Sequence, residues 1–489
     1  MSNLIPLPIA LSIPLPEVEG SVDYREFKER LLRIDQLLLH SGVEKQFIED
    51  CLQGWLEGHK EPSSVSYKAQ LNFQVHSRQA LRCNIARILQ GESFRDFAIR
   101  LADSPLLQHF CCPSELGAPI RVPAKSTLQR YSHWGQADQV NTLVHQLLRQ
   151  AHEEPEHLQL EEAIELESVF MDTTCLGANI HYPVDWVLLR DATRSLMQAV
   201  GSIRKHGIVH RMEAPQVFMR RMNQLCIQMT HGDTKKDRKR TLRAMDRLVG
   251  NVARHARRYR NLLDEHWQET DWTQLQSQEV LGRLDNILQQ LPVARRQARQ
   301  RILQEKKVEN AKKILSLYEP DVRVILRGKA GAPVEFGNTL LIAENPQGLI
   351  VDWDLFRETA PADSRLVIAC VERIEANLGC EVKQVVADRG FDSAANRNQL
   401  EARGIYNNLC PKDPHLLKKR GGSWKFRKGQ RRRSQTEARV AIFKNDFMGS
   451  TPRSKGFESR KRATGWAVLT HNLWVIARLP QPEALEQAA

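Results

Sequence analysis

The chain has 489 residues, is 41% hydrophobic and carries 71 Lys plus Arg against 58 Asp plus Glu, a formal charge of +13. One compact core cannot serve that length, so about two to four domains are expected. The clustered basic excess favours a phosphate-rich partner, nucleic acid first, because each cation set against a phosphate releases condensed counterions. The nine cysteines show neither C-x-x-C spacing nor a compact disulfide framework, which argues against a zinc site or a disulfide scaffold and suits a reduced, cytoplasmic setting. No segment of about 18 apolar residues is free of charge, so no membrane span is expected.

In chain order, the opening MSNLIPLPIALSIPLPEVEG is apolar but lacks a basic n-region, and its four prolines by position 16 spoil a continuous helix. It reads as an extended arm, with a signal peptide the weaker reading. Residues 24 to 150 read as helices, with apolar residues recurring at three and four residue steps in YREFKERLLRIDQLLLHSGVEKQFIEDCLQGWL and RQALRCNIARILQGESFRDFAIRLADSPLLQHF. In IRVPAKSTLQRYSHWGQADQVNTLVHQLLRQ, Ser126 stands where an N-cap belongs. Short helices with basic faces fit a helix-turn-helix DNA reader, and they fit a plain dimerisation bundle equally well.

The texture changes at Glu165. ELESVFMDTTCLGANIHYPVD reads as a buried strand ending at Asp172 in a polar turn. Long helices return from Trp186 to about Tyr318. Among them, KKDRKRTLRAMDRLVGNVARHARRYRNLL sets Leu242, Met245, Val249, Val252, Ala256 and Tyr259 on one stripe. Eleven cations lie between Lys235 and Arg260; they make either a solvated face or a surface that tracks phosphates. VRVILRGKAGAPVEFGNTLLIAENPQGLIVDW reads as two strands in a hairpin, bounded by Gly328, Gly331, Pro333 and the NPQG turn. Then follow a helix in DSRLVIACVERIEANLG, a strand in EVKQVVADRGF, a helix in SAANRNQLEARG, a strand in IYNNLC, a basic loop and a last helix. This alternation predicts a mixed α/β sheet with its active groups near strand ends.

Two carboxylates stand out because each closes a strand of Val and Ala type: Asp172 and, after VKQVVA, Asp388. Either alone fits a turn or cap residue. On neighbouring strands they would converge and repel unless a cation or a proton intervened. A third, Glu437, lies just behind ten Lys and Arg that fall between Lys412 and Arg433 with Asp413 the one carboxylate among them. On a helix, Arg433 falls about 40° and Lys444 about 20° from Glu437, so one face presents cation, carboxylate and cation. Glu437 is then a counter-charge, a metal ligand beside a phosphate, or the far end of an S-x-x-E capping box with Ser434.

VFMDTT, VVADRGFDS and RSQTEARVAIFK together resemble the DDE transposases of bacterial insertion sequences. The resemblance takes in residues from about 165 to 479, where HYPVDWVLLRDATR, RGKAGAPVEFG and GWAVLTHNLWVIARL are similar to a subgroup of that family. It implies an α/β fold, a ribonuclease-H-like mixed sheet with a large helical insertion, and an all-helical N-terminal domain. Asp172, Asp388 and Glu437 match the catalytic acidic positions, and Arg433 and Lys444 match the basic positions of the last motif. The tyrosine position of that motif falls on Gln430, a departure. The 216 residues from Asp172 to Asp388 place the insertion between the first and second core strands, packed beside the active site to extend the DNA channel.

The implied activity is metal-dependent cleavage and strand transfer at the terminal inverted repeats of a mobile element. Two Mg²⁺ or Mn²⁺ ions on Asp172, Asp388 and Glu437 would activate the attacking hydroxyl and stabilise the leaving oxygen. Arg433, Lys444, Lys329 and Arg389 would hold phosphates. The implied domains are residues 1–150 for DNA binding or dimerisation, 151–185 and 319–479 for the two parts of the catalytic domain, 186–318 for the insertion, and 480–489 for a tail. Double-stranded DNA is the implied partner, bound by a homodimer at the bacterial nucleoid, with no membrane and no small-molecule cofactor. Two other readings stay open: a silent, transposase-derived DNA-binding protein, and a nuclease of the same fold that does not join ends.

Overall fold

The computed structural model describes residues 15, 17–59, 62–112, 120–329, 332–449 and 454–482, the side chains of 62, 327–329 and 332–333 excepted. The apolar opening stretch lies almost wholly outside the described residues, as do Gly331 and the side chains of Lys329 and Pro333. Among the described residues no helix is long and apolar enough to cross a membrane. None of the nine cysteines is bonded to another, and seven are buried.

Seven helices come first: α1 (Val22–His40), α2 (Val43–Glu57), α3 (Tyr67–Gln90), α4 (Phe94–Asp103), α5 (Pro105–Cys111), α6 (Lys125–Tyr131) and α7 (Ala137–Glu153). Serine side chains open several of them, Ser21 accepting from Tyr24 N, Ser66 from Ala69 N and Ser93 from Asp96 N. Ser126 is not a cap. Ala124 takes the extended cap position, and Ser126 falls inside the first turn of α6. Within this layer Arg82 is buried but compensated, with Nε and Nη2 each 2.9 Å from the Glu44 carboxylate and Nη1 2.6 Å from Asp35.

The same apolar cluster runs from Leu31 and Phe47 in these helices through Val169 and Leu341 to Trp466 and Ile476. The rings of Phe47 and Trp466 meet edge to face at 5.5 Å, and Trp353 Nε1 donates to Asn141 at 3.0 Å. The N-terminal helices therefore bury their faces against the sheet layer, in one core with it.

Strand β1 (Ser168–Gly177) is followed by α8 (Asp185–Lys205), α9 (Pro215–Thr230), α10 (Lys235–His266) and α11 (Gln274–Ala298). These four pack around a second apolar cluster of their own, from Leu188 to Leu317. Leu242, Met245, Val249, Val252, Ala256 and Tyr259 all lie buried in it, as their spacing predicts. The chain then rejoins the sheet through β2 (Arg323–Lys329), β3 (Ala332–Glu344) and β4 (Ile350–Leu355). That segment holds three strands where the sequence pattern predicts two. Asn345 to Gly348 make a tight turn that folds β4 back onto β3, Gly348 taking φ +91° and donating its N–H to Asn345 O at 3.0 Å.

The rest is α12 (Val367–Leu378), β5 (Gln384–Ala387), α13 (Ala394–Ala402), β6 (Tyr406–Leu409), α14 (Pro414–Gly421), α15 (Trp424–Ile442), a wide π-type turn over Phe443–Phe447, and α16 (Phe457–Ile476). Part of the expected basic loop is thus the short helix α14, opened by Asp413, whose side chain accepts from His415 N. The sheet order is β2-β3-β1-β5-β6, with β4 beside β3. β1 runs antiparallel to β3 and parallel to β5, which is parallel to β6. The architecture is mixed α/β, a six-stranded mixed sheet within a largely helical molecule.

Both ends of the helical excursion attach at one place. Gly177 closes β1 opposite Gly337, and Arg323 opens β2 opposite the same Gly337. A side chain at Gly337 would lie 2.1 Å from Leu176 O, so the close approach of β1 and β3 there demands glycine.

Candidate active site and its helix

Asp172 does not end its strand. β1 continues to Gly177 against β3, and what stops beside Asp172 is the neighbouring strand β5. The parallel register pairs Ser168 with Gln384, Val169 with Val385 and Phe170 with Val386. The pairing ends there, two residues short of both Asp172 and Asp388, so each carboxylate follows just past the last paired residues of two strands that lie about 4.8 Å apart. Asp388 caps the short turn Arg389–Phe391, its Oδ1 accepting from Gly390 N at 2.7 Å. Asp172 Oδ1 accepts from Thr173 N at 2.8 Å.

Side chains alternate along a strand, so Phe170, Asp172 and Thr174 share a face. Helix α15 covers that face. The Arg432 guanidinium lies 4.6 Å over the Phe170 ring, and Lys444 Nζ donates to Thr174 Oγ1 at 3.3 Å. At its other end the helix is pinned by Gln430, whose Nε2 donates to Asn408 O at 2.6 Å and to Ala387 O at 3.3 Å. Gln430 and Glu437, seven residues apart, share one face of α15, and Lys444 follows seven residues later in the π-type turn that continues it. Gln430 is fastened beside Asp388 and Lys444 two residues beyond Asp172. Glu437 lies about 10 Å along the axis from Gln430.

The side chains do not close the triad. Glu437 is exposed and paired with Arg433, its Oε1 2.8 Å from Nη1, while Arg433 Nε donates to Gln430 Oε1 at 3.2 Å. Among the described residues no three His, Cys, Asp or Glu side chains gather closely enough to hold a metal. The physical reason is charge. Three carboxylates without a cation between them repel, and a basic neighbour one helical turn away takes the most mobile of them. The capping-box reading of Glu437 is excluded, because α15 begins thirteen residues earlier at Trp424 under the Ser423 cap, and Ser434 Oγ instead donates to Arg431 O.

The arginine run divides by direction. Arg431 faces solvent. Arg432 points inward, with Nη1 3.0 Å from Glu344 Oε1, Nη2 donating to Asn345 O and Pro346 O, and Nε to Pro346 O. Arg433 turns toward Glu437. Glu344, buried at the end of β3, also accepts from Thr436 Oγ1 at 2.8 Å and meets Arg439 Nη1 at 3.6 Å. Burial holds the Arg439 guanidinium below its usual range. Two glycines admit this packing: a Cβ at Gly348 would lie 2.2 Å from Arg439 Nη1, and one at Gly429 would lie 2.0 Å from Asn408 Nδ2. Beneath the π-type turn, the His471 ring meets Phe443 and Phe447 edge on, and complete burial pushes its pKa down to about 4.

Sequence reasoning missed Asp363. Its Oδ1 accepts from Thr173 Oγ1 at 3.1 Å, and a Cβ placed on Gly390 would lie 2.8 Å from Asp363 Oδ2 and 3.0 Å from Asp388 Oδ1. An Asp just before a helix reads as a cap, so only the fold marks it as a fourth carboxylate at this edge. Of the other cations, Arg389 is exposed next to Asp388, and Lys329 closes β2 with its side chain outside the described residues. A cavity of 690 Å³ opens beyond the end of α15, bounded by Arg87, His133, Asp446, Lys455 and Trp466 among others; none of Asp172, Asp388 and Glu437 lines it.

The chain matches no protein-family model, no curated protein and no solved structure. What it can do has to be argued from this geometry.

The donor set suits a hard divalent cation. Asp172, Asp388 and Glu437 offer oxygen alone, the first two just past the last paired residues of β1 and β5 and the third on an exposed face of the helix that packs on those strands. Moving Glu437 costs little, since an exposed ion pair of this kind is worth about 0–1 kcal/mol.

Proposed function

We propose that the chain is a DDE-type DNA transposase, a metal-dependent enzyme that cuts and joins DNA strands at the ends of an insertion sequence, working as a homodimer on duplex DNA. The supporting observation is the parallel pairing of β1 with β5, which ends two residues short of Asp172 and Asp388, beneath a helical segment fastened on both sides of Glu437. The sheet, with an antiparallel β3 beside parallel β1, β5 and β6, is compatible with a ribonuclease-H-like core.

Bound Mg²⁺ or Mn²⁺ would supply Lewis-acid activation of the attacking hydroxyl and of the leaving oxygen. Asp172 and Asp388 hold their positions through the strands, and Glu437 reaches them by leaving Arg433. That release frees Arg433 to grip a phosphate, with Lys444 and Arg389 on neighbouring ones and Lys329 as a further candidate. Gln430, in the position of the family's tyrosine, orients Arg433 and fixes the helix.

Replacing Glu437 by Gln tests the assignment. Mg²⁺-dependent cutting of the element's terminal-repeat DNA should fall by on the order of 10² to 10³-fold or more, the scale of losing one group that stabilises the transition state. DNA affinity should stay within about twofold of wild type, because the basic surface is untouched. Cutting that survives the change removes Glu437 from the site.

A second reading draws on the Glu437–Arg433 pair and the open triad: a protein of this lineage that binds DNA and does no chemistry. A wild-type protein that shifts DNA in a gel yet never nicks it with Mg²⁺ would be that binder. One that nicks but cannot transfer pre-cleaved ends would be a nuclease.

A further inference from the structure

Helix α10 carries a feature the proposed chemistry does not use. Its apolar stripe, Leu242 to Tyr259, faces the second core. About 180° around the axis lie Lys236, Arg243, Arg247, Arg254, Arg257 and Arg258, spread over about 33 Å. All six are exposed, and none forms an ion pair among the described residues.

The acids of this helix are engaged elsewhere. Asp246 binds Arg295 of α11 and Arg299 just past its end, Asp237 binds Arg240, and Asp264 binds Arg260. Like charges three and four residues apart repel on a helix, so a row of this kind works against its own helix until an anion lies along it. Duplex DNA presents one negative charge per about 1.7 Å of axis, and a helix face of this length can follow it.

The position also fits. The whole helical excursion is rooted on both sides at Gly337, opposite Gly177 and Arg323, five residues or about 17 Å of strand beyond Asp172. Resting on the DNA-processing reading above, we infer that the outward arginine face of α10 is a second duplex-DNA surface, which holds the backbone away from the point of cutting.

The test changes Arg243, Arg247, Arg254 and Arg257 together to Gln, with thermal unfolding as the check on folding. Binding of a long DNA duplex is measured against salt without Mg²⁺, so no cutting is needed and a failure of the catalytic reading shows separately. Affinity should fall at least about tenfold, and the slope of log K against log salt should shrink by about 0.9 for each phosphate that is no longer neutralised. An unchanged slope overturns the proposal. So does a greater loss on an RNA duplex of the same length, which would make the face an RNA surface.

Discussion

Helices α15 and α10 are both rich in arginine, and they use it in opposite ways. On α15 the inward cations are matched: Arg432 and Arg439 converge on buried Glu344, and Arg433 meets Glu437. On α10 six exposed cations lie opposite the apolar stripe without an ion pair among the described residues. The first pattern fastens a helix to a sheet. The second leaves charge available to something outside the chain. Composition alone does not separate these cases; what separates them is whether the helix face meets a buried acid.

The contrast can be broken first at Glu344. Changing it to Ala leaves Arg432 and Arg439 half-buried against each other, and breaking such a pair costs about 3–5 kcal/mol. Urea unfolding measures it, and a loss below about 1 kcal/mol would mean that α15 is held by something else.

A somewhat smaller effect is expected from His471 under the end of α15. Its folded pKa is about 4 against about 6.5 unfolded, so the unfolded chain binds the proton first. This contribution to stability is whole above about pH 6.5 and drains away as the pH falls toward 4, by roughly 3 kcal/mol in all. Replacing His471 by Leu should flatten that part of the stability curve, which urea titrations at several pH values would show.

The smallest expected effect sharpens the other side. The same four Arg→Gln changes on α10 should leave stability within about 0.5 kcal/mol of wild type, or raise it slightly at low salt as repulsion is relieved. A clear fall in thermal unfolding temperature would show that those arginines serve the fold after all.

Much of the architecture is legible from pattern. The apolar stripe of α10, the helical excursion after Asp172 and the later alternation of helix and strand all follow from spacing. Spacing marks Asp172, Asp388 and Glu437 as carboxylates at element ends or on a basic helix face, and the family resemblance is what joins them as a triad. Where pattern misleads, the error is local. Spacing counts two strands where β2, β3 and β4 form, puts the cap of α6 at Ser126 although Ala124 provides it, and ends β1 at Asp172 when only the adjacent strand stops there. Glu344 and Asp363 are invisible to it because a single acid near an element's end has no periodicity to mark it.

By itself the sequence determined which segments could bury a face, and which charges crowd together along the chain, because periodicity and composition are local properties. Only the tertiary structure decided which cations meet acids, that β1 and β5 pair side by side just ahead of Asp172 and Asp388, and that the N-terminal helices share the core of the sheet. Those outcomes depend on strand register and on the meeting of residues far apart in the chain, where a shift of one position would turn every side chain to the other face.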